Sequence, residues 1–131
     1  METRSNCRSM GLAIVGSLFV LVLSGTAAGQ VTSRVSVDSG GAQGNNNSIF
    51  PSISADGRYV AFESIASNLV GGDTNLKQDI FVHDRQSGTT ERVCVDSSGA
   101  QGNGDSFFPS ISAVGHYVAF ESLARDRKSV V

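Results

Sequence analysis

The chain has no tryptophan, two prolines, two cysteines and few charges: Asp, Glu, Lys and Arg make up 17 % of its 131 residues. Each shortage excludes something. The formal net charge is −2, and from Val31 onward eight basic and eleven acidic residues are scattered singly. A duplex-binding surface needs clustered Lys and Arg to displace counterions, so nucleic acid is not an expected partner. Cys94 is the only cysteine after the first thirty residues, which leaves residues 31–131 without a disulfide. With no His or Asn partner apparent, it is expected to be a buried, inert thiol. A chain of this length holds one domain at most. Glycine, in contrast, is plentiful at 15 residues, and small polar residues separate short apolar runs. That is the composition of a turn-rich all-β protein.

The first segment differs from the rest. Arg4 and Arg8 make a positive start, and Gly11 to Leu23 reads GLAIVGSLFVLVL. Small residues come next, Ser24 to Gly29. This is the order of a secretory signal, with cleavage expected after Ala28 or Gly29. A membrane anchor is the alternative, but a spanning helix wants about 20 predominantly apolar residues. The block here is shorter, and no Cys directly follows it to carry a lipid. Residues 1–28 are therefore expected to form a signal-peptide helix that meets the membrane only during export. The remainder is expected in the periplasm or outside the cell.

An internal repeat organises the chain beyond this segment. Ser33 to Ser64 reads SRVSVDSGGAQGNNNSIFPSISADGRYVAFES, and Glu91 to Ser122 reads ERVCVDSSGAQGNGDSFFPSISAVGHYVAFES. The offset is 58 residues, and 24 of 32 positions are identical. Such self-similarity marks a repeat architecture. Within one period, four short runs rich in β-branched and aromatic residues stand between turn signals. They predict strands over about Pro51 to Ser54, Tyr59 to Ser64, Asp79 to Val82 and Thr90 to Val95. Arg34 to Val37, the counterpart of Arg92 to Val95, is expected to be an outer strand of an earlier copy. Asp56-Gly57 and Ser87-Gly88 read as hairpin turns, so the four strands form an antiparallel meander. The two tight turns then share one edge, and the two long Gly- and Asn-rich loops share the other. Long polar loops on a rigid scaffold are where binding usually resides.

Four-stranded meanders in tandem are the blades of a β-propeller. The phrases PSISADGRYVAFES, SNLVGGDTN, DIFVHDRQSG and TTERVCVD, in that order, resemble the TolB-like, WD-repeat-like propeller repeat of bacterial exported proteins. The resemblance covers nearly everything from Val31 to Ser122. It implies a scaffold that binds protein or another extracellular polymer, rather than an enzyme. Such repeats also precede peptidase domains, so a hydrolase domain beyond this chain is an alternative. The second copy departs from the pattern where Val114 replaces Asp56 and His116 replaces Arg58. Loss of the Asp is expected to weaken the turn-capping hydrogen bond of Asp-Gly, while Gly115 keeps the backbone freedom.

On this reading residues 29–125 hold an incomplete propeller of about one and a half four-stranded antiparallel blades. Closed propellers need about 4–8 blades, so the chain is expected to be the N-terminal part of a longer protein. Residues 126–131, DRKSVV, break the repeat, and one DNA spelling of them is similar to a sequencing adapter. They are expected to be a non-native tail. About three repeats are needed for a continuous core, so the chain alone is expected to be poorly soluble or partly disordered.

One group of residues carries possible metal chemistry. Asp73, Asn75 and Asp79, in GDTNLKQD, place oxygen ligands in a Gly-rich loop and suggest calcium. Lys77 interrupts the alternation, and a turn with local Asp and Asn bonds is the competing reading. A calcium-stabilised surface repeat protein is the corresponding third function. His83 and Asp84 are neighbours in a strand and so point to opposite faces, which argues against a dyad. Gly104-Asp105-Ser106 has Asn46-Asn47-Ser48 as its counterpart and no paired base, so Ser106 reads as a loop serine. No phosphate loop, nucleophile elbow or zinc motif is present.

Overall fold

The computed structural model describes residues 31–125. The expected signal (1–28) and the expected tail (126–131) lie outside them. The described residues are all-β, in six strands: β1 (Ser48–Ile53), β2 (Tyr59–Ser64), β3 (Asp79–Asp84), β4 (Thr89–Arg92), β5 (Ser106–Ile111) and β6 (Val118–Ser122). The first four form one antiparallel sheet in the order β1-β2-β3-β4, and β5-β6 form a second, two-stranded sheet. The second sheet repeats the β1-β2 hairpin 58 residues later, register and irregularity included.

β1 begins three residues before the expected Pro51. Ser48 and Ile49 pair with Ser64 and Glu63, and the ladder then shifts before Ser52. Pro51 has no N–H to give the ladder, so the chain bulges around it. Phe50 takes φ 49° and Phe108, at the same place in β5, takes φ 54°. Left-handed backbone in a bulky residue costs on the order of 1–3 kcal/mol. The two rings meet edge-on with centroids 5.3 Å apart, which offsets part of that cost.

β4 ends at Arg92, not at Val95. Beyond it Cys94 turns inward, and Val95 bridges Gln101. Arg34 to Val37 makes no strand either: only Val37 bridges, to Gln43. A strand there needs a partner equivalent to β3, and the described residues supply none. Both bridges close over the same turn. Asp38 Oδ1 accepts from the backbone N–H of Gly40 and Ala42, and Asp96 Oδ1 accepts from Ser98 and Ala100. The recurring phrase DSxGA is therefore a side-chain-capped turn.

The tight turns lie side by side, as the meander predicts. Arg85 N–H donates to Arg58 O at 2.9 Å, and its guanidinium donates to Gly57 O at 2.7 Å. Arg58 grips Asp84 with both ends of its fork, Nε to Oδ1 at 2.9 Å and Nη2 to Oδ2 at 2.5 Å. That hydrogen-bonded pair holds the Asp84 carboxyl well below the usual carboxylate range. The second copy keeps its turn without the Asp. Gly115 N–H still bonds Ser112 O, and Ser112 Oγ still accepts from Tyr117 N–H.

The core sits in the four-stranded sheet and the loop after β2. Phe62, Ala66, Leu69 and Phe81 are at most 2 % exposed, with Val70 packed against them. Phe62 and Phe81 stack at 5.9 Å. β5 packs against β2, β1 and β3, so the second copy of the repeat lies on the first.

Candidate functional site

Three long segments gather at the end away from the tight turns. Asn45 and Asn68 tie the first two together: Asn45 N–H donates to Asn68 Oδ1 at 2.8 Å, and Asn68 Nδ2 donates to Gln43 O at 2.9 Å. Asn45 Oδ1 in turn accepts from Ser67 N–H. Gln101 and Thr74 exchange two bonds of the same kind, and Asn75 Nδ2 donates to Gly102 O. Asn and Gln suit these positions because each amide both donates and accepts. Between the first two segments runs an open groove of about 580 Å³, walled by Asp38, Ser39, Asn68 and Thr74 and reaching Thr90 at the start of β4.

Ser39 and Thr90 set that groove's inner wall. Ser39 Oγ accepts from Thr90 N–H at 2.9 Å and donates to Thr90 O at 3.4 Å. The Thr90 hydroxyl donates to Val37 O at 2.6 Å, so its oxygen accepts from His83 Nδ1 at 2.9 Å. His83 is 6 % exposed, and burial lowers its pKa, which keeps the ring neutral at pH 7. His83 thus props the wall from behind, while Asp84 faces Arg58. The two neighbours share no partner.

The residues singled out for calcium do come together. Asp79 is fully buried, and its Oδ2 accepts from Asn75 Nδ2 at 2.9 Å and from Arg92 Nη1 at 3.3 Å. The same Arg92 nitrogen lies 3.2 Å from Asp73 Oδ1. Burial pushes the Asp73 carboxyl up, against the pull of Arg92. Asn75 Oδ1 accepts from Lys77 N–H, closing a local turn. A calcium ion binding both carboxylates would have to displace Arg92 from between them. Arg92 Nε, also buried, makes no hydrogen bond.

Sequence pattern alone does not single out Arg92 as the hub. A signal is there: an Arg opens the same apolar alternation in both copies, at Arg34 and Arg92. Its partners lie 19 and 13 residues away, in the loop before β3 and at its first residue, and no spacing rule connects them.

Cys94 completes the cluster from below. Its Sγ donates to Asp79 Oδ1 at 3.0 Å and accepts from Ile80 N–H at 3.1 Å. Burial, reinforced by the Asp79 carboxylate, pushes the thiol up to about 12. Only the thiolate is nucleophilic. Iodoacetamide is therefore expected to leave Cys94 unmodified in the folded chain at neutral and mildly alkaline pH, and to modify it after denaturation. Mass spectrometry of the peptide bearing Cys94 reads the result, and rapid alkylation of the native protein would contradict this placement.

Ser106, expected as a loop serine, is instead the first residue of β5: it is fully buried and donates to Ser122 Oγ at 3.1 Å, as Ser48 donates to Ser64. Asp105 Oδ1 accepts from Gln78 N–H. Both residues tie strands together. Set beside family models, curated proteins and solved structures, the chain matches none of them.

Proposed function

We propose that the chain belongs to a non-enzymatic, exported β-propeller scaffold that binds a protein or extracellular polymer through its long-loop groove. The four-stranded meander, with a second copy of its first hairpin packed against it, supports the blade reading. The groove carries the functional reading. Its walls are hydroxyls, amides and glycine backbone together with Leu69, Val70 and Asp73, with Asp38 at the rim, and reciprocal hydrogen bonds hold the polar groups in place. Such a surface suits an extended, polar, uncharged or basic segment, bound by hydrogen bonds to its backbone. A pre-ordered wall matters because a binding loop already fixed loses little further entropy on contact.

Photo-crosslinking tests this. A benzophenone side chain at exposed Ser67, beside the groove, is expected to trap a protein or glycan adduct in the exported fraction of expressing cells. The same probe at exposed Gln86, in the tight-turn edge, is expected to trap none. Equal adducts from both positions, or none from Ser67, would remove the groove from consideration.

A further inference from the structure

Two dipeptides of this chain are able to react with themselves. An Asn or Asp followed by glycine is open to attack by the glycine's own backbone nitrogen, because no β-carbon shields that nitrogen. The sequence holds one of each kind, Asp56-Gly57 and Asn103-Gly104. The fold protects the first. Asp56 Oδ1 accepts from Ser54 Oγ at 2.6 Å and from Arg58 N–H at 3.0 Å, and these bonds hold the carboxyl below its ordinary range, hence ionised at neutral pH. A carboxylate is a poor target for a nucleophile. The Gly57 N–H is also engaged, with Ser54 O at 2.9 Å.

Asn103-Gly104 differs at each of these points. Asn103 is exposed, and its side chain is a neutral amide. Its Oδ1 accepts from Arg125 N–H at 3.0 Å. That donor draws electrons from the side-chain carbonyl and faces the oxygen on which negative charge develops during attack. The Gly104 N–H meets no acceptor among the described residues. Glycine is also required there, since an added Cβ would come 2.6 Å from the backbone carbon of Leu123. The arrangement belongs to the repeat and not to the end of the chain. In the first copy, where the loop after β2 is present throughout, Asn45 is likewise exposed and its Oδ1 accepts from Ser67 N–H at 3.0 Å. There the next residue is Asn46, whose β-carbon stands beside the nitrogen that would attack.

We propose that Asn103-Gly104 is a site of self-modification, where the folded chain deamidates. The Gly104 nitrogen attacks Asn103 Cγ and forms a C–N bond. Its proton passes through water to the amide nitrogen, which leaves as ammonia, and a cyclic imide remains. Water then opens the ring. Cleavage at Cγ gives aspartate, and cleavage at the main-chain carbonyl gives isoaspartate. Both products place a carboxylate next to Gly102, whose carbonyl holds Asn75. Isoaspartate also lengthens the main chain by one carbon, where Gly104 has no room against Leu123. The long-loop end of the second copy is thereby loosened with time, and the loss of ammonia makes the change irreversible.

Incubation of the full chain at mildly alkaline pH, followed by peptide mass spectrometry, tests this. The peptide bearing Asn103 is expected to gain the mass of an amide-to-acid exchange and to split into two chromatographic forms, while Asn45, Asn68 and Asn75 stay intact. The rate at Asn103 is expected to be higher in native buffer than in urea, because the Arg125 donor acts only in the folded chain. Arg125→Pro, which removes that N–H, is expected to slow the native reaction and to leave the rate in urea unchanged. A native rate equal to or below the rate in urea overturns the proposal without recourse to any variant. So does an unchanged native rate in Arg125→Pro, or deamidation that begins at another asparagine.

Discussion

Arg92→Ala is expected to destabilise the four-stranded sheet by about 3–5 kcal/mol, because it leaves two carboxylates facing each other without a cation. Asp79 is fully buried and Asp73 nearly so, with a side-chain exposure of 5 %. Water cannot replace the guanidinium without opening the loop between β2 and β3. A small domain is stable by only about 5–15 kcal/mol, so the loss is a large share of the total. Hydrogen exchange at the Ile80 and Phe81 amides, together with the urea midpoint, reads it. A companion variant separates the pair from its parts: Arg92→Met with Asp73→Asn and Asp79→Asn is expected to recover most of the loss, because it removes the charges together. An Arg92→Ala protein with an unchanged midpoint would mean that the cluster is solvated.

Phe81→Ala carries the next largest expected effect, again about 3–5 kcal/mol, from lost burial and the cavity left behind. Phe81 is fully buried, stacked on Phe62 and close to Leu69 and Ala66. It is central in β3, so the sheet cannot close around the gap without moving β2 or β4. Phe108→Ala is the contrasting case. That ring is 56 % exposed and contributes chiefly its edge-on contact with Phe50, worth about 0.5–1.5 kcal/mol. Denaturation midpoints of the two variants side by side check the ranking, and similar losses would place the core elsewhere.

Much of this architecture is legible in the sequence, and the reasons are local. YVAFES and DIFVHD declare themselves by alternation and β-branched content, and β2 occupies the range expected for it. Asp56-Gly57 and Ser87-Gly88 fix the hairpins, and hairpins fix the order of the meander. Where pattern misleads, the deciding partner is distant. β1 starts at Ser48 because Ser64 and Glu63 lie opposite, which its own residues do not announce. Residues 34–37 have the pattern of a strand but no neighbour to pair with among the described residues. The groove is implied by where the long loops fall, but its wall is not: Ser39 meets Thr90 51 residues away. Spacing alone groups Asp73, Asn75 and Asp79, yet the guanidinium among them comes from β4. Pattern locates elements; it does not say which charge from another element lands between two carboxylates.

The hydroxyl of Ser39 has a consequence for how the molecule can grow. It occupies both hydrogen-bonding groups of Thr90 on the outer margin of β4, the donor and the acceptor alike. A bare margin is a template for another β-strand, and through it for cross-β aggregation. With those two groups taken, a strand arriving from outside finds no pairing at Thr90, and lateral extension of the sheet is opposed at that point of its outermost strand.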